Sequence, residues 1–144
     1  MSDLYFVDTN IFVYRRDRNA GEKQRAADAW IRFLWRSERG RISTQVLSEY
    51  YVTVTQKLIP GLPREQARAE VVELSSWGPL PLSVAVVIRA LEIQDRFQLS
   101  YWDSLIAAAA QVSGCRVLLS EDLQDGLDIE GTVVQNPFLY APPA

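Results

Sequence analysis

Residues 4–7 form a short apolar run that stops at Asp8-Thr9-Asn10, after which Ile11, Phe12 and Val13 resume at helix-compatible spacing. The pattern predicts a buried strand, a tight turn and a helix, with Asp8 at the strand's carboxyl end. From 22 to about 39, Ala26, Ala29, Trp30, Phe33 and Leu34 recur among charged neighbours on one helical face, and Gly40 reads as the stop. Arg41-Ile42-Ser43 fits a short strand, and Thr44 a cap for a helix over 45–58 that ends before Pro60-Gly61. Pro63-Arg64-Glu65 opens a helix running to about Trp77, where Gly78-Pro79 breaks it. Leu80-Pro81-Leu82 is an edge strand at best, because its proline is costly in a central one. Ser83 caps a helix through Phe97, with Val84, Val87, Ile88, Leu91 and Ile93 expected to face inward. Ser100 or Asp103 starts the next helix, whose alanines at 107–110 allow close packing, and Gly114 ends it. Residues 117–120 and 132–135 are the last strands, before a tail holding Pro137, Pro142 and Pro143.

Strands that alternate with helices imply an α/β fold with parallel strands covered on both faces, and such sheets hold ligands beyond the strands' carboxyl ends. Asp8 falls at that edge, and so do Glu121 and Asp122 after the 117–120 strand. With 144 residues, no internal repeat and no linker, the chain is expected to be a single domain burying about two-thirds of its unfolded surface.

Composition narrows the chemistry. There is no histidine, so the usual general base, nucleophile activator and zinc ligand are all missing. The one cysteine, Cys115, excludes an internal disulfide and a cysteine zinc cluster and reads as core filler. The start of the chain lacks the basic and apolar segments of a signal peptide, and no apolar run approaches the roughly 20 residues that cross a bilayer, so a cytoplasmic location is expected. A formal net charge of −3 gives no long-range field for nucleic acid. Contact with nucleic acid must then be local. Lys23 and Lys57 are the only lysines among fifteen basic residues, and the densest basic cluster is Arg15-Arg16-Asp17-Arg18, a solvated helix end or a binding patch.

The acids are the candidate chemistry. Each of Asp8, Glu49, Asp103 and Asp122 has an ordinary role open to it: a helix cap, a solvated face, a helix's positive end, a turn. Together in one pocket they would repel unless cations neutralised them, and hard oxygen ligands select Mg²⁺ or Mn²⁺. Such ions activate water and stabilise a departing oxygen without histidine or a covalent nucleophile. Asn10 and Ser120 adjoin two of the acids and are candidates to hold water or a phosphate oxygen, or simply to bond within turns.

Four segments, taken in order, resemble the PIN-domain family, and within it the VapC-type toxins of prokaryotic toxin–antitoxin pairs. They are Phe6-Val-Asp-Thr-Asn-Ile, Ser43-Thr-Gln-Val-Leu-Ser-Glu-Tyr-Tyr, Tyr101-Trp-Asp-Ser-Leu-Ile-Ala-Ala-Ala and Leu118-Leu-Ser-Glu-Asp-Leu-Gln-Asp-Gly. An Asp-Thr-Asn alone occurs by chance, whereas four matching segments in order across nearly the whole chain are specific. The resemblance implies a three-layer α/β/α sandwich with a central parallel sheet and an endoribonuclease site binding Mg²⁺ or Mn²⁺. Asp8, Glu49, Asp103 and Asp122 match the family's acidic positions, Asn10 and Ser120 its polar supports, and Asp125 an accessory acid. It also implies RNA as substrate, a homodimer, and a small antitoxin seated in a groove. Trp30, Phe33, Leu34 and Trp35 match that groove's wall, with core burial expected for at least two of them.

Two other classes compete. An aspartyl-phosphate domain also places an aspartate after its first strand, but it wants a lysine late in the chain, and Asn10 stands where the dehalogenase pattern has a second aspartate. A non-catalytic module keeping the fold to grip RNA or protein is the other, disfavoured by the intact acids.

Overall fold

The computed structural model describes residues 3–144. Five strands, β1 (Tyr5–Val7), β2 (Gly40–Arg41), β3 (Val117–Leu119), β4 (Asp128–Ile129) and β5 (Thr132–Gln135), form one sheet in the order β2-β1-β3-β5-β4. The β1–β2, β1–β3 and β3–β5 pairs are parallel, with Tyr5, Phe6 and Val7 opposite Val117, Leu118 and Leu119. Tyr5, Phe6 and Val7 are all buried. Since successive strand residues point to opposite faces, both faces of the sheet are covered there, which is why this segment reads as an unbroken apolar run. Six helices flank the sheet: α1 (Thr9–Arg16), α2 (Glu22–Ser37), α3 (Thr44–Val52), α4 (Arg64–Leu74), α5 (Val84–Phe97) and α6 (Tyr101–Val112).

The sheet departs from all-parallel at one edge, where β4 runs antiparallel to β5 through a tight turn at Glu130-Gly131. Two residues are too few to show a period, so the sequence pattern carries no sign of β4. At the other edge the expected strand at Leu80-Pro81-Leu82 shrinks to one parallel bridge, Leu80 to Ser43, because Pro81 offers no N–H to extend the ladder.

Helix ends follow local chemistry. Ser43, Ser83 and Ser100 each accept a hydrogen bond at their Oγ from the third backbone N–H of the following helix. For α3 the cap is therefore Ser43 and not Thr44, which is the first helical residue. The expected helix over 45–58 breaks into α3 and a wide π turn, Thr53–Lys57. Glu38, in the left-handed conformation at φ 57°, stops α2 two residues before the expected Gly40. Gly40 serves a different need, since a Cβ there would lie 2.4 Å from the Trp77 ring.

The core lies between β1, β3 and their helices. Helix α6 buries every residue from Ser104 to Ala110, and its alanines let α5 pack closely along it. The α5 face differs from expectation. Val86, Ala90 and Ile93 are buried, whereas Val84, Ile88 and Leu91 are exposed and Val87 is half-buried. Apolar residues occupy both sides of this helix, and the side carrying the small Ala90 is the one that fits against the alanine face. On α2, Trp30, Phe33 and Leu34 enter the core, and the Trp30 indole N–H donates to the carbonyls of Pro137 and Tyr140. Trp35 is the one of the expected groove-wall residues left accessible, packed edgewise on Trp77. The buried Glu70 joins three helices by accepting from Tyr50 and Arg16, while Gln66 holds its other oxygen.

We predict that Gly40→Ala, which drives a methyl into the Trp77 ring, destabilises the fold by about 1–3 kcal/mol. Urea unfolding should show a lower midpoint with an unchanged slope, and an unaltered midpoint refutes the close approach.

Candidate active site

The strand order reverses between β1 and β3, since β2 lies on one side of β1 and the later strands on the other. In open α/β sheets that switch point leaves a crevice at the strands' carboxyl ends. Asp8 follows β1 without an intervening residue and Ser120 follows β3, so both lie at the head of the crevice; Asp8 N–H donates to the Leu119 carbonyl and continues the β1–β3 ladder. The crevice is a cavity of about 430 Å³ whose lining includes Asp8, Glu49, Asp103 and Asp122. Glu49 arrives from α3 and Asp103 from the first turn of α6. Residues 114 positions apart in sequence therefore share one hollow.

The polar supports hold three of the four acids in place. Asp8 accepts from the Thr9 N–H at 2.8 Å and, through its other oxygen, from Ser120 Oγ at 2.8 Å. The Ser120 hydroxyl in turn accepts from the Asp122 N–H at 3.2 Å, so one side chain ties two acids together. Asn10 Nδ2 donates to Asp122 Oδ2 at 2.9 Å. Glu49 accepts from Thr9 Oγ1 at 2.6 Å and from Gln45 Nε2 at 3.2 Å. Asp103 uses its backbone N–H to meet the Ser100 cap, and its carboxylate has no protein donor among the described residues.

Asp125 lies elsewhere. It accepts from the Asn136 N–H and from Tyr140 Oη, fastening the C-terminal segment, and lines a different cavity beside β5. It is not among the residues lining the acidic pocket, which an accessory acid of that pocket would join. Glu121 is also directed outward, held by Lys23 at 2.6 Å and by the Tyr14 hydroxyl. The arginine cluster stays off the pocket too, with Arg16 committed to Glu70. Lys57 is the cation that lines the cavity, delivered with Thr53 by the π turn. Such turns recur at functional sites, where they re-aim side chains that a regular helix would place differently. Thr9, Gln45, Lys57 and Trp102 are lining residues that the motif reading passed over; the π turn behind Lys57 leaves no signal in the sequence.

Electrostatics marks Asp8 apart. It is 6% exposed. Burial, with the neighbouring charges of Asp122 and Asp103 added, raises its pKa from 3.8 to about 7, against the lowering pull of Ser120 and the Thr9 N–H. Asp122 is shifted the same way, by removal from water first and then by Asp103, Glu121 and Glu49, with Asn10 opposing. Among the described residues no ion pair neutralises any of the four acids. Nor do three or more acids stand close enough to form a finished metal cage. The donor set is nonetheless chemically that of a hard divalent cation: carboxylates, a hydroxyl and an amide around a hollow in which four acids face one lysine that pairs with none of them.

Fold and site together define an α/β protein with a carboxylate-lined pocket at the switch point of a mostly parallel sheet. A PIN domain family model matches residues 5–124, and the chain belongs to the PIN-domain family. Two solved structures share the fold. A toxin–antitoxin complex from Klebsiella pneumoniae superimposes with a TM-score of 0.66 at 22% identity, covering 96% of this chain and 99% of that one. VapBC2 from Rickettsia felis, bound to a DNA fragment from its promoter, gives 0.61 at 18% identity, covering 92% and 98%. No curated protein matches the sequence. Among the described residues no helix is long and apolar enough to cross a membrane.

The raised Asp8 pKa fixes the sign of a pH effect. The folded state binds the Asp8 proton more tightly than the unfolded chain, so this contribution is fully present below about pH 4 and lost as pH rises through about 7. In chelator, the protein should therefore lose up to about 4 kcal/mol across that window from Asp8 alone. Asp8→Asn should flatten the profile and stabilise the metal-free protein at pH 8, and saturating Mg²⁺ should raise the wild-type melting temperature there. A wild-type profile that is flat or rising between pH 4 and 7 contradicts the buried-charge description.

Proposed function

We propose that this PIN-domain protein is a metal-dependent endoribonuclease acting as the toxin of a toxin–antitoxin pair. The observation that carries the reading is that Asp8, Glu49, Asp103 and Asp122 line one cavity and, among the described residues, none of them is paired with a cationic side chain. The solved neighbours, both toxin–antitoxin assemblies, support the biological setting.

The four carboxylates would hold Mg²⁺ or Mn²⁺, which supplies an activated water and charge stabilisation at the departing oxygen. The chain's own contribution is positional. Thr9 N–H and Ser120 lock the Asp8 rotamer, Thr9 Oγ1 and Gln45 orient Glu49, and Asn10 orients Asp122. Each support removes a degree of freedom that an exposed acid would have, which is how a site is held within the tolerance chemistry needs. Lys57 at the rim faces the same hollow and suits the phosphate of an incoming strand. Among the described residues no arginine lines the cavity.

The same reading includes a cognate antitoxin that silences the pocket, a homodimer, and function in the cytoplasm as a single-domain protein. A small open reading frame immediately upstream of the gene is the simplest supporting observation for the antitoxin. An aspartyl-phosphate mechanism is disfavoured by the family. A non-catalytic module is separated from the nuclease by activity alone.

Purified protein is expected to cleave RNA only with Mn²⁺ or Mg²⁺, with loss on chelation. Asp8→Asn and Asp103→Asn should each reduce cleavage by at least about 100-fold, as expected when a group acting at the transition state is removed. Equal behaviour of wild type and both variants sinks the nuclease reading.

A further inference from the structure

Beside the acidic pocket lies a second hollow of about 430 Å³, lined by Thr44, Gln45, Ser48, Glu49, Leu82 and Trp102. Gln45, Ser48, Glu49 and Trp102 belong to both walls, so the two spaces adjoin along these four side chains. Their chemistry differs. The first gathers four carboxylates, whereas Glu49 is the only charged residue in the second, whose other walls are hydroxyls, an amide, a leucine and an indole.

Trp102 is 61% exposed although it precedes the buried face of α6 and sits beside Asp103. Its ring is braced edgewise by Tyr101 at 5.2 Å, and its carbonyl accepts from Gln45 Nε2 at 3.4 Å. Gln45 is itself 6% exposed. Both groups beside its amino nitrogen, Glu49 Oε2 and the Trp102 carbonyl, are acceptors, which fixes the amide's orientation and leaves Oε1 buried without a donor. A buried acceptor without a partner is costly and uncommon in a native fold, and it is satisfied when a ligand brings an N–H or O–H.

A large exposed aromatic surface, an orphan acceptor and a nearly neutral hollow adjoining a phosphodiester-cleaving pocket match the parts of one ligand. We propose that this hollow is a nucleobase subsite: the base next to the cleaved phosphate stacks on Trp102, and a small shift of the Gln45 amide brings its covered Oε1 to a donor of the base. The assignment rests on the ribonuclease reading and extends it to single-stranded RNA, whose unstacked bases are free to leave the helix and lie on an aromatic side chain. A phosphate would be repelled from this hollow by Glu49 and finds no cation in its lining; a neutral planar base meets neither obstacle. Gln45 also binds Glu49 and the Trp102 backbone at once, so a seated base is registered against one of the pocket's acids.

The test uses full-length protein with Mn²⁺ and a fluorescein-labelled single-stranded oligoribonucleotide. Trp102→Ala is expected to raise KM about ten-fold or more with kcat largely kept, and Trp102→Phe to recover most of the loss. An abasic nucleotide beside the cleaved bond should weaken wild type equally and have little further effect on Trp102→Ala. Because Trp102 is exposed, thermal melts of the variants should match wild type. If wild type cleaves RNA and Trp102→Ala has the same KM, the base subsite is wrong and the ribonuclease reading stands. If Trp102→Ala impairs antitoxin binding alone, the surface belongs to a protein partner and the subsite is again overturned. Failure of wild type to bind or cleave any RNA overturns the ribonuclease reading and this assignment with it.

Discussion

One buried carboxylate governs this molecule. Asp8 sits at the end of β1 with both oxygens satisfied and almost no contact with water. Its backbone N–H continues the ladder to β3, so the strand pairing that creates the sheet also fixes the acid. Ser120, reached by the same ladder on the neighbouring strand, completes the cradle and passes the constraint to Asp122. A shift of register between β1 and β3 would therefore turn the side-chain order inside out and dismantle the pocket together with the core.

The other acids depend on helix packing. Glu49 reaches the pocket because Ser43 sets the start of α3, and Asp103 because Ser100 caps α6 three residues earlier. Both helices are pinned by fully buried side chains, Val46 and Tyr50 on α3 and the alanine run on α6. Precision at the site thus comes from elements whose positions are over-determined by burial, while the flexible group in the pocket, Lys57, comes from the irregular turn that follows α3.

What could be read in the sequence was whatever leaves a repeated local mark. Apolar runs placed β1, β3 and β5, and serine caps or proline and glycine breaks placed the helix ends to within a few residues. Topology alone carries Asp8 and Asp122 to the same edge, whereas Glu49, inside α3, and Asp103, in the first turn of α6, carry no such mark and stand out only through the segments that resemble the family. Three features were not legible, each for a physical reason. The inward face of α5 was misread because Val84, Ile88 and Leu91 are as apolar as Val86 and Ile93, and steric fit of Ala90 against α6 decided between them. Asp125 follows the quartet in its segment, and nothing local shows that the Asn136 N–H and the Tyr140 hydroxyl take up its carboxylate. Lys57 was invisible because hydrophobic period does not distinguish an α turn from a π turn.

Stability and reactivity pull against each other at this pocket. Holding Asp8 out of water beside Asp122 and Asp103 disfavours its ionised form, yet that form is the one a divalent cation needs. The fold resolves the conflict by leaving the acids unpaired and apart, and by keeping arginine out of the lining although the chain is rich in it. A guanidinium built into the lining would relieve the repulsion permanently and fill the hollow. A basic side chain offered from outside would instead relieve it reversibly, because its release would leave the four acids facing one another again.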